Sequence, residues 1–339
     1  MLDKRLPEGK LPIDVLEPML ESITTGNLIV GPSIGVDVGV AKIRGKYIVS
    51  SSDPITGAVK RMGWYAVNVS ANDIATSGIM PKNLSVVGLF TRGTRIGEIT
   101  AVMEEINETA RDLGITVAGG HTEITPGLRK PILIVTCFGS GNKFVTSAQA
   151  SSGDSIIMTK TAGIEGTSIL AGLSIIRRSL SKSDYKLSLR LIERLSILQE
   201  ARIAFGTERI HAMHDVTEGG VIGAVAEMSL ASGLGFELAV DSVPVDSSTK
   251  KICDLLSIDP LKLIGSGALL IACSVKSESM VKNALLRKGI QCSTIGMFLR
   301  NRKERKLITH DGNQVKSLRL SGRSVQDEIW PALEKYGAN

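Results

Sequence analysis

Hydrophobic residues recur at helical or strand spacing along most of the chain, so the sequence predicts an alternation of helices and strands. The stretch 64–81 carries the most informative pattern, because its apolar positions follow helical spacing and form one narrow stripe that suits packing against a sheet. These positions are Val67, Ala71, Ile74 and Gly78. Gly78 suits a left-handed helix cap and Pro81 blocks continuation, so the helix is predicted to end near Ser77.

Similar patterns predict elements on both sides of a small, polar boundary at 147–154. Before it we expect helices at 13–23 and 96–113, a hairpin of strands 38–43 and 46–52 turned at Arg44-Gly45, and strands at 83–90, 115–118 and 132–138. After it we expect strands at 155–159, 235–240, 268–273 and 293–299, and helices at 221–232, after Asp246, at 279–286 and from Val325. This alternation favours a layered α/β or α+β architecture.

The length of 339 residues indicates two domains, 1–150 and 151–339, that need neither disulfides nor a structural metal. The four cysteines lie far apart in apolar contexts, so buried thiols in a reducing cytoplasm are favoured over a disulfide pair. They are Cys137, Cys253, Cys273 and Cys292. Residues 1–10 are charged and lack an apolar signal core, and no apolar run approaches a membrane span, so we expect a soluble cytoplasmic protein without a membrane partner.

The net charge of +6 permits a nucleic-acid surface, but aromatic residues make up only 4% of the chain and no base-stacking or helix-turn-helix pattern accompanies the charge. Small anionic ligands explain the charge equally well, and we expect no nucleic-acid partner. The most basic run, at 300–306, precedes Asp311-Gly312 and is typical of a solvated hairpin.

Asn72 and Asp73 lie in the middle of the helix predicted over 64–77. Both are poor helix formers, because their short polar side chains compete for backbone hydrogen bonds. Small residues flank them instead of lysines and glutamates, which suggests a functional site. A solvated acidic residue on an amphipathic helix is the alternative, and this stretch alone does not separate the two.

Two further carboxylates are predicted at strand ends. Asp37 precedes the first strand of the hairpin, and Asp53 follows the second. Together with Asp73 they can converge at one rim of a sheet, where three acidic groups would repel one another unless a cation, with Mg²⁺ favoured by such ligands, lay between them. The alternative is that Asp37 and Asp53 are ordinary turn residues.

A glycine-rich stretch follows the strand predicted at 115–118. Gly119 and Gly120 allow close approach of the backbone to a ligand, and the next three residues offer an imidazole, a hydroxyl and a carboxylate. These are His121, Thr122 and Glu123. Alternatively, the glycines only end a strand before the turn at 125–127. Near the N-terminus, Lys10 stands beside Gly9 and can reach a phosphate, although most N-terminal lysines are simply solvated.

Two loops in the second half are candidate anion sites, because each joins a glycine-containing loop to the N-terminus of a predicted helix. They are 162–168 and 211–220. The chain contains neither GxxxxGK[ST] nor GxGxxG, so the familiar nucleotide-binding folds lose support. His211 and His214 lack a third metal ligand, so a zinc site is not expected.

With these residues assembled, the chain resembles the aminoimidazole ribonucleotide (AIR) synthetase superfamily, and within it most nearly the hydrogenase expression/formation protein HypE group. The matching segments follow the family's order over nearly the whole chain. They are Gly35-Val36-Asp37, Ser52-Asp53, Ala71-Asn72-Asp73-Ile74-Ala75, Gly119-Gly120-His121-Thr122-Glu123, Asp215-Val216-Thr217-Glu218-Gly219-Gly220 and Gly265-Ser266-Gly267. Each is weak alone, and their order and spacing carry the resemblance.

The resemblance implies an N-terminal α/β domain that forms a β-barrel with a second copy, and a C-terminal ferredoxin-like α+β domain. It implies ATP and Mg²⁺ as cofactors, and catalytic roles for Asp73, His121 and Lys10. The implied metal ligands are Asp37, Asp53 and Asp73. The implied nucleotide-binding residues are these three together with Asn72, Gly119, Gly120, His121, Thr122 and Glu123. Family chemistry uses ATP to phosphorylate an oxygen of an amide, phosphate or thiocarboxamide group, or to phosphorylate selenide.

Three departures qualify these expectations. The hydrogenase factor carries its substrate group on a C-terminal cysteine, whereas the last cysteine here is Cys292, which puts standard thiocarboxamide dehydration in doubt. The N-terminal arm lacks several glycines common in that factor, and also the nucleophilic residue of selenophosphate synthetase. Position 121 is His where many members carry an acidic residue.

The sequence therefore leaves several functions open. The first is an ATP- and Mg²⁺-dependent enzyme with phosphoryl-transfer, ligase-type or dehydratase chemistry, whose acceptor is an unidentified small molecule or protein-borne group. Others are a non-catalytic nucleotide-binding assembly partner and a purine-type cyclo-ligase. A metal-dependent phosphohydrolase has the least support. A homodimer and a maturation partner protein are expected under the first.

Overall fold

The computed structural model describes residues 6, 9–56, 61–309, 315–317 and 324–337. The chain divides into two compact units. The N-terminal unit comprises residues 26–31 and 37–144, and the C-terminal unit comprises 1–25, 32–36 and 145–339. Among the described helices, none combines the length and apolar character that crossing a membrane would require.

The N-terminal unit is a mixed six-stranded sheet with two helices. Its elements are β1 (Leu28–Val30), β2 (Gly39–Ile43), β3 (Lys46–Ile55), α2 (Met62–Thr76), β4 (Pro81–Phe90), α3 (Ile96–Asp112), β5 (Thr116–Ile124) and β6 (Ile132–Gly141). The strand order is β1-β2-β3-β6-β4-β5, and every neighbouring pair is antiparallel except β4 and β5. Arg44 and Gly45 both take positive φ in the predicted hairpin turn, as a two-residue turn between twisted strands requires.

Helix α2 is buried along almost its whole length. Its apolar stripe, which includes Val67, Ala71 and Ile74, is fully buried, as the sequence pattern predicted. The helix ends at Thr76 with Ser77 as its cap, and Gly78 follows with a positive φ of 76°, so the prediction of its end is confirmed. The burial also exceeds what one stripe needs, because Asn68, Ser70 and Asn72 are buried as well.

Two predicted element boundaries in this unit were wrong. The observed boundaries place candidate site residues inside strands. Asp53 lies inside β3 instead of after it, because β3 continues through Pro54 to Ile55. The stretch 119–123 is the main part of β5, whereas we predicted a loop. The hydrogen bonds to β4 hold this glycine-rich segment extended, which its low intrinsic strand propensity did not indicate.

The C-terminal unit is built on a mixed seven-stranded sheet of order β13-β12-β9-β11-β7-β10-β8. Its strands are β7 (Asp154–Thr159), β8 (Ile210–Asp215), β9 (Gly235–Ala239), β10 (Leu269–Ser274), β11 (Cys292–Leu299), β12 (Arg305–Ile308) and β13 (Val315–Ser317). Its helices are α1 (Ile13–Glu21), α4 (Ile164–Leu170), α5 (Ser174–Ser179), α6 (Lys182–Arg190), α7 (Leu198–Gly206), α8 (Gly220–Ala231), α9 (Ser247–Leu256), α10 (Val275–Leu286) and α11 (Ile329–Tyr336). The central strands and α8 enclose one large apolar core.

Most predicted elements of this unit are present, with three differences. We missed β8, because its residues read as part of a polar loop. The terminal helix begins at Ile329 instead of Val325, and α10 begins at Val275. The predicted cap of α9 is confirmed, since the Asp246 side chain accepts a hydrogen bond from the Ser248 amide at 2.9 Å. The predicted Asp311-Gly312 turn lies outside the described residues.

The two neighbouring glycines of β5 differ in their surroundings, which generates a stability test. A Cβ added at Gly120 would lie 1.8 Å from the carbonyl oxygen of Val86 on β4, whereas a Cβ at Gly119 would meet nothing within 4 Å. We expect Gly120→Ala to lower the free energy of unfolding by about 1–3 kcal/mol, because the strand pairing must shift to relieve the clash. Denaturant unfolding followed by circular dichroism measures this change.

Gly119→Ala is the matched control, with an expected effect within about 0.5 kcal/mol. Equal stability losses in the two variants would contradict the close approach of β4 to Gly120.

Candidate functional site

Asp73 of α2 faces the sheet and is held there by β3. Its Oδ2 accepts a hydrogen bond from the Ser51 hydroxyl at 2.6 Å, and the residue is only 8% exposed. One turn earlier, the Ser70 hydroxyl donates to the carbonyl oxygen of Val135 on β6, the residue that pairs with Asp53. The alternative of a solvated acidic residue on α2 is therefore wrong.

Asp53 belongs to the same face of the sheet as Ser51, because residues two apart on a strand point the same way. That is the face on which α2 packs, so Asp53 and Asp73 share one side of the sheet. Asn72, their neighbour on α2, is fully buried. We call this group, consisting of Ser51, Asp53, Asn72 and Asp73, the helix-side group.

Asp37 lies at the same end of the β2–β3 hairpin as Asp53. It precedes Gly39 by two residues, and Gly39 pairs with Ser50, three residues before Asp53. Within the described part of the N-terminal unit, however, no three acidic, imidazole or thiol groups bring their ligand atoms within 4.8 Å of one another. Asp37, Asp53 and Asp73 therefore lie near one rim without forming a closed three-carboxylate cluster.

His121 and Glu123 lie on the opposite face of the sheet from the helix-side group. The register runs from Asp53 through Val135 and Val86 to Gly120, so Gly120 shares the face of Asp53 and its neighbour His121 points the other way. The row spans three strand spacings, roughly 14 Å. The stretch 119–123 thus lies on the same sheet as the helix-side group, but its imidazole and carboxylate are not directed toward that group.

His121 and Glu123 form a small exposed polar cluster with Thr125, which we call the edge-strand cluster. His121 Nε2 lies 3.1 Å from one carboxylate oxygen of Glu123, and the Thr125 hydroxyl donates to the other at 2.6 Å. The hydrogen bonds from Thr125 and His121 lower the pKa of Glu123 below its ordinary value. Glu123 is therefore an anion at neutral pH and can orient the imidazole.

Lys10 is bound within the C-terminal unit. Its Nζ donates to the Thr217 hydroxyl at 3.1 Å and lies 3.6 Å from Glu227 Oε1, and its amide donates to Glu218 at 3.1 Å. Burial raises the pKa of Glu227, but the charge of Lys10 and the hydrogen bond from His214 outweigh burial and bring this pKa to about 2. Lys10 is thus an internal counter-ion, which the sequence did not indicate.

One of the two candidate anion sites in the second half is closed to an anion. Asp327 Oδ2 accepts the Gly219 amide at the start of α8 at 2.6 Å, so the protein's own carboxylate occupies that helix terminus. At the other loop the first turn of α4 carries Glu165, a buried carboxyl group whose pKa burial raises to about 7. The two histidines also have separate carboxylate partners, Asp154 for His211 and Glu227 for His214.

Sequence reasoning did not single out the carboxylates of Glu165 and Asp215, although both lie in the loops 162–168 and 211–220 that it named as candidate anion sites. Both residues are buried, Glu165 at 7% exposed and Asp215 at 1% exposed. One signal was available, because Glu165 follows an isoleucine and precedes a glycine in a segment with no other charge.

The chain matches two family descriptions. "AIR synthase related protein, N-terminal domain" matches residues 35–140, and "AIR synthase related protein, C-terminal domain" matches residues 151–306. Among curated relatives, a hydrogenase expression/formation protein of Methanocaldococcus jannaschii is 30% identical over 275 residues, which is 78% of each chain. Carbamoyl dehydratase HypE of Escherichia coli is 29% identical over 237 residues, 69% of this chain and 68% of the relative.

Solved structures show the same fold. A HypE–HypF complex superposes with a TM-score of 0.71 at 18% identity and covers 83% of this chain and 93% of the other. Hydrogenase maturation protein HypE in complex with ATP superposes with a TM-score of 0.69 at 19% identity and covers 91% and 92%. Together with the two matched domains and mixed α/β sheets, these likenesses show that the chain belongs to the AIR synthase related protein family.

Proposed function

We propose that this protein is an ATP- and Mg²⁺-dependent hydrogenase maturation enzyme of HypE type, which phosphorylates an oxygen of its acceptor. The observation that carries the proposal is the buried carboxylate of Asp73, held by Ser51 on the face of the sheet that also carries Asp53. The names of the relatives and the ATP complex of a protein with the same fold support this chemistry.

The helix-side group has the donor chemistry that Mg²⁺ prefers, namely carboxylate, hydroxyl and amide oxygens. We propose Asp53 and Asp73 of this group, together with Asp37, as the ligands of Mg²⁺. Bound there, Mg²⁺ would neutralise the charge of the polyphosphate, and the protein would contribute mainly position and electrostatic stabilisation. The hydrogen bond from Ser51 directs the carboxylate of Asp73, so Ser51 is proposed as a positioning residue.

The nucleotide is proposed to contact Asn72 and the stretch 119–123 as well. His121, oriented by Glu123, is the proposed proton-transferring residue, because histidine is the side chain that most often transfers protons in enzymes. Lys10 is the proposed phosphate ligand from the N-terminal arm. It would have to exchange its contacts with Thr217 and Glu227 for a phosphate to take this role.

The acceptor is proposed to come from another molecule, either small or protein-borne. None of the four thiols in the sequence is activated, because burial raises the pKa of Cys137 to about 11, of Cys253 and Cys273 to about 12, and also raises that of Cys292. A protein-borne acceptor agrees with the HypE–HypF complex, in which a relative in fold assembles with a maturation partner. The four free cysteines also support the proposed cytoplasmic location.

The first test of the proposed function is nucleotide binding. We expect Asp73→Asn to weaken Mg²⁺-dependent ATP binding by at least about tenfold, because loss of a metal ligand should cost no less than loss of a supporting residue. Calorimetric titration of ATP with and without Mg²⁺ measures this change, and chromatography of the mixtures measures ADP. Asp112→Asn, at the end of α3 on an exposed position, is the matched control.

Two outcomes would count against the proposal. Unchanged Mg²⁺-dependent binding in Asp73→Asn would exclude the helix-side group as the metal site. Tight ATP binding by the wild type without ADP formation, with every acceptor tried, would favour a non-catalytic assembly partner.

We also propose a homodimer in which the two N-terminal sheets form a barrel. The face of the sheet opposite α2 carries apolar side chains that are only partly buried, and Phe138 on β6 is 36% exposed. The others on this face include Ile48, Pro54, Val87, Leu89, Ile132 and Ile134. A contiguous half-exposed apolar sheet face is typical of an interface. Ferredoxin-like character of the C-terminal unit remains a prediction, supported by its mostly antiparallel sheet covered by helices.

The dimer is tested by placing one charge at the centre of this face. Ile134 pairs with Pro54 on one side and Val87 on the other, so we expect Ile134→Glu to shift the protein from dimer to monomer, because a carboxylate would be buried in an apolar interface. Sedimentation equilibrium gives the mass. Ile96→Glu, at an 85% exposed position of α3, is the control and should remain dimeric. A wild-type monomer at all concentrations would contradict the proposal.

A further inference from the structure

The apolar face of α3 is longer than the part of it that the N-terminal unit buries. In the second half of the helix, Ile106 and Ala110 are each 1% exposed. In the first half, Ile96 is 85% exposed and Met103 is 36% exposed. The four residues follow helical spacing and belong to one face. The first half of α3 therefore presents apolar side chains that the described part of the chain leaves uncovered.

The packing of α2 explains why these side chains stay outside. Gly63 on α2 approaches α3 so closely that a Cβ at this position would lie 2.6 Å from the carbonyl oxygen of Val102. The Gly63 amide also donates to Glu105 Oε2 at 3.1 Å. Met103 follows Val102 by one residue, which is roughly 100° around the helix, so it points away from α2. The contact between the two helices thus fixes the exposed direction of α3.

The uncovered apolar residues line a shallow concavity of about 390 Å³. Its lining residues are Ile96, Ile99, Thr100, Met103, Glu104 and Asn107. The apolar side chains among them recur at the spacing that an incoming helix meets when it packs its own side chains into the grooves of another helix. The lining spans three turns, or roughly 16 Å, which suits a helix of similar length.

The charge beside this concavity is negative. Although the whole chain carries a net charge of +6, α3 carries five carboxylates and one arginine. Glu104 lines the concavity and Glu108 lies one turn further along, and both are exposed. Within the described residues, neither of these two carboxylates has a hydrogen bond or an ion pair. A ligand with apolar and positively charged groups therefore complements this surface better than a neutral one.

The same charge argues against other occupants. A second copy that paired its α3 with this one about a two-fold axis would place Glu104 and Glu108 against their own counterparts, which like-charge repulsion disfavours. Anionic lipid surfaces and nucleic acids are repelled for the same reason. The remaining occupant that matches both the groove and the charge is a basic amphipathic helix.

We propose that the first half of α3 is a docking site for a basic amphipathic helix of a partner protein. Its apolar side chains pack between Ile96, Ile99 and Met103, and its lysines or arginines face Glu104 and Glu108. None of these five residues belongs to the helix-side group, to the edge-strand cluster or to the sheet face assigned to the homodimer. The site goes beyond the proposed function, because it requires neither nucleotide nor metal.

The test uses the full chain and a fluorescent synthetic peptide of about four helical turns, with leucines along one face and lysines on both flanks. Fluorescence anisotropy measures binding. We expect the wild type to bind this peptide and not a scrambled peptide of the same composition. Ile96→Ser and Met103→Ala should each weaken binding at least about fivefold, because they remove apolar contacts at the centre of the groove.

The role of charge is tested separately. The double variant Glu104→Gln and Glu108→Gln should bind the peptide about threefold more weakly at low salt and lose most of the salt dependence seen in the wild type. Met280→Ala is the matched control, because Met280 is a 53% exposed methionine of another helix, α10, and its removal should leave binding unchanged. Circular dichroism checks that every variant is folded.

Several results would overturn this docking site. They are no binding by the wild type, equal binding of the scrambled peptide, wild-type binding by both Ile96→Ser and Met103→Ala, and an equal loss in Met280→Ala. A lower mass of Ile96→Ser in sedimentation equilibrium would assign the face to a second copy instead. Binding of the wild type to phosphatidylcholine vesicles, lost in Ile96→Ser, would assign it to a lipid surface.

Asp73→Asn separates this proposal from the proposed function. We expect this variant to bind the peptide as the wild type does while it loses Mg²⁺-dependent ATP binding. Conversely, Met103→Ala should retain Mg²⁺-dependent ATP binding while it loses the peptide. Joint loss of both activities in Met103→Ala would contradict an independent docking site.

Discussion

A β-strand turns successive side chains to opposite faces of its sheet, and this alternation decides which site residues of the N-terminal unit can act together. Ser51 and Asp53 face α2, so Asp73 can join them. His121 and Glu123 face the other way. The candidate site residues of the sequence are thus divided between two faces of the sheet. A ligand that contacts both groups must therefore reach both faces. The proposed pairing of this sheet with a second copy would give a physical reason for this arrangement.

The parts of the fold set by local chemistry could be predicted from the sequence. The end of α2 follows from Gly78 and Pro81, because one residue takes a positive φ and the other cannot continue a helix. The Arg44-Gly45 turn and the Asp246 cap are likewise decided by a few neighbouring residues. The helix-side position of Asp73 was only one of two alternatives in the sequence, since burial depends on the sheet that α2 meets.

The parts that failed depend on residues far apart in the chain. The stretch 119–123 is a strand because β4 pairs with it, although glycine weakens strand propensity. The N-terminus of α8 is closed to anions by Asp327, more than a hundred residues later. Lys10 likewise finds its partners in Thr217 and Glu227, which no local pattern near the N-terminus encodes. Candidate ligands are thus readable as residue types, whereas their availability is a tertiary property.

The position of β5 at the edge of its sheet has a consequence for solubility. Its outer side presents backbone N–H and C=O groups that β4 does not use, and such an edge can recruit strands of other proteins into aggregates. Two glycines lower its tendency to pair with a strand of another protein. The imidazole of His121 and the carboxylate of Glu123 keep this edge hydrated. The residues that make this strand a candidate binding element therefore also reduce aggregation through the unpaired edge of β5.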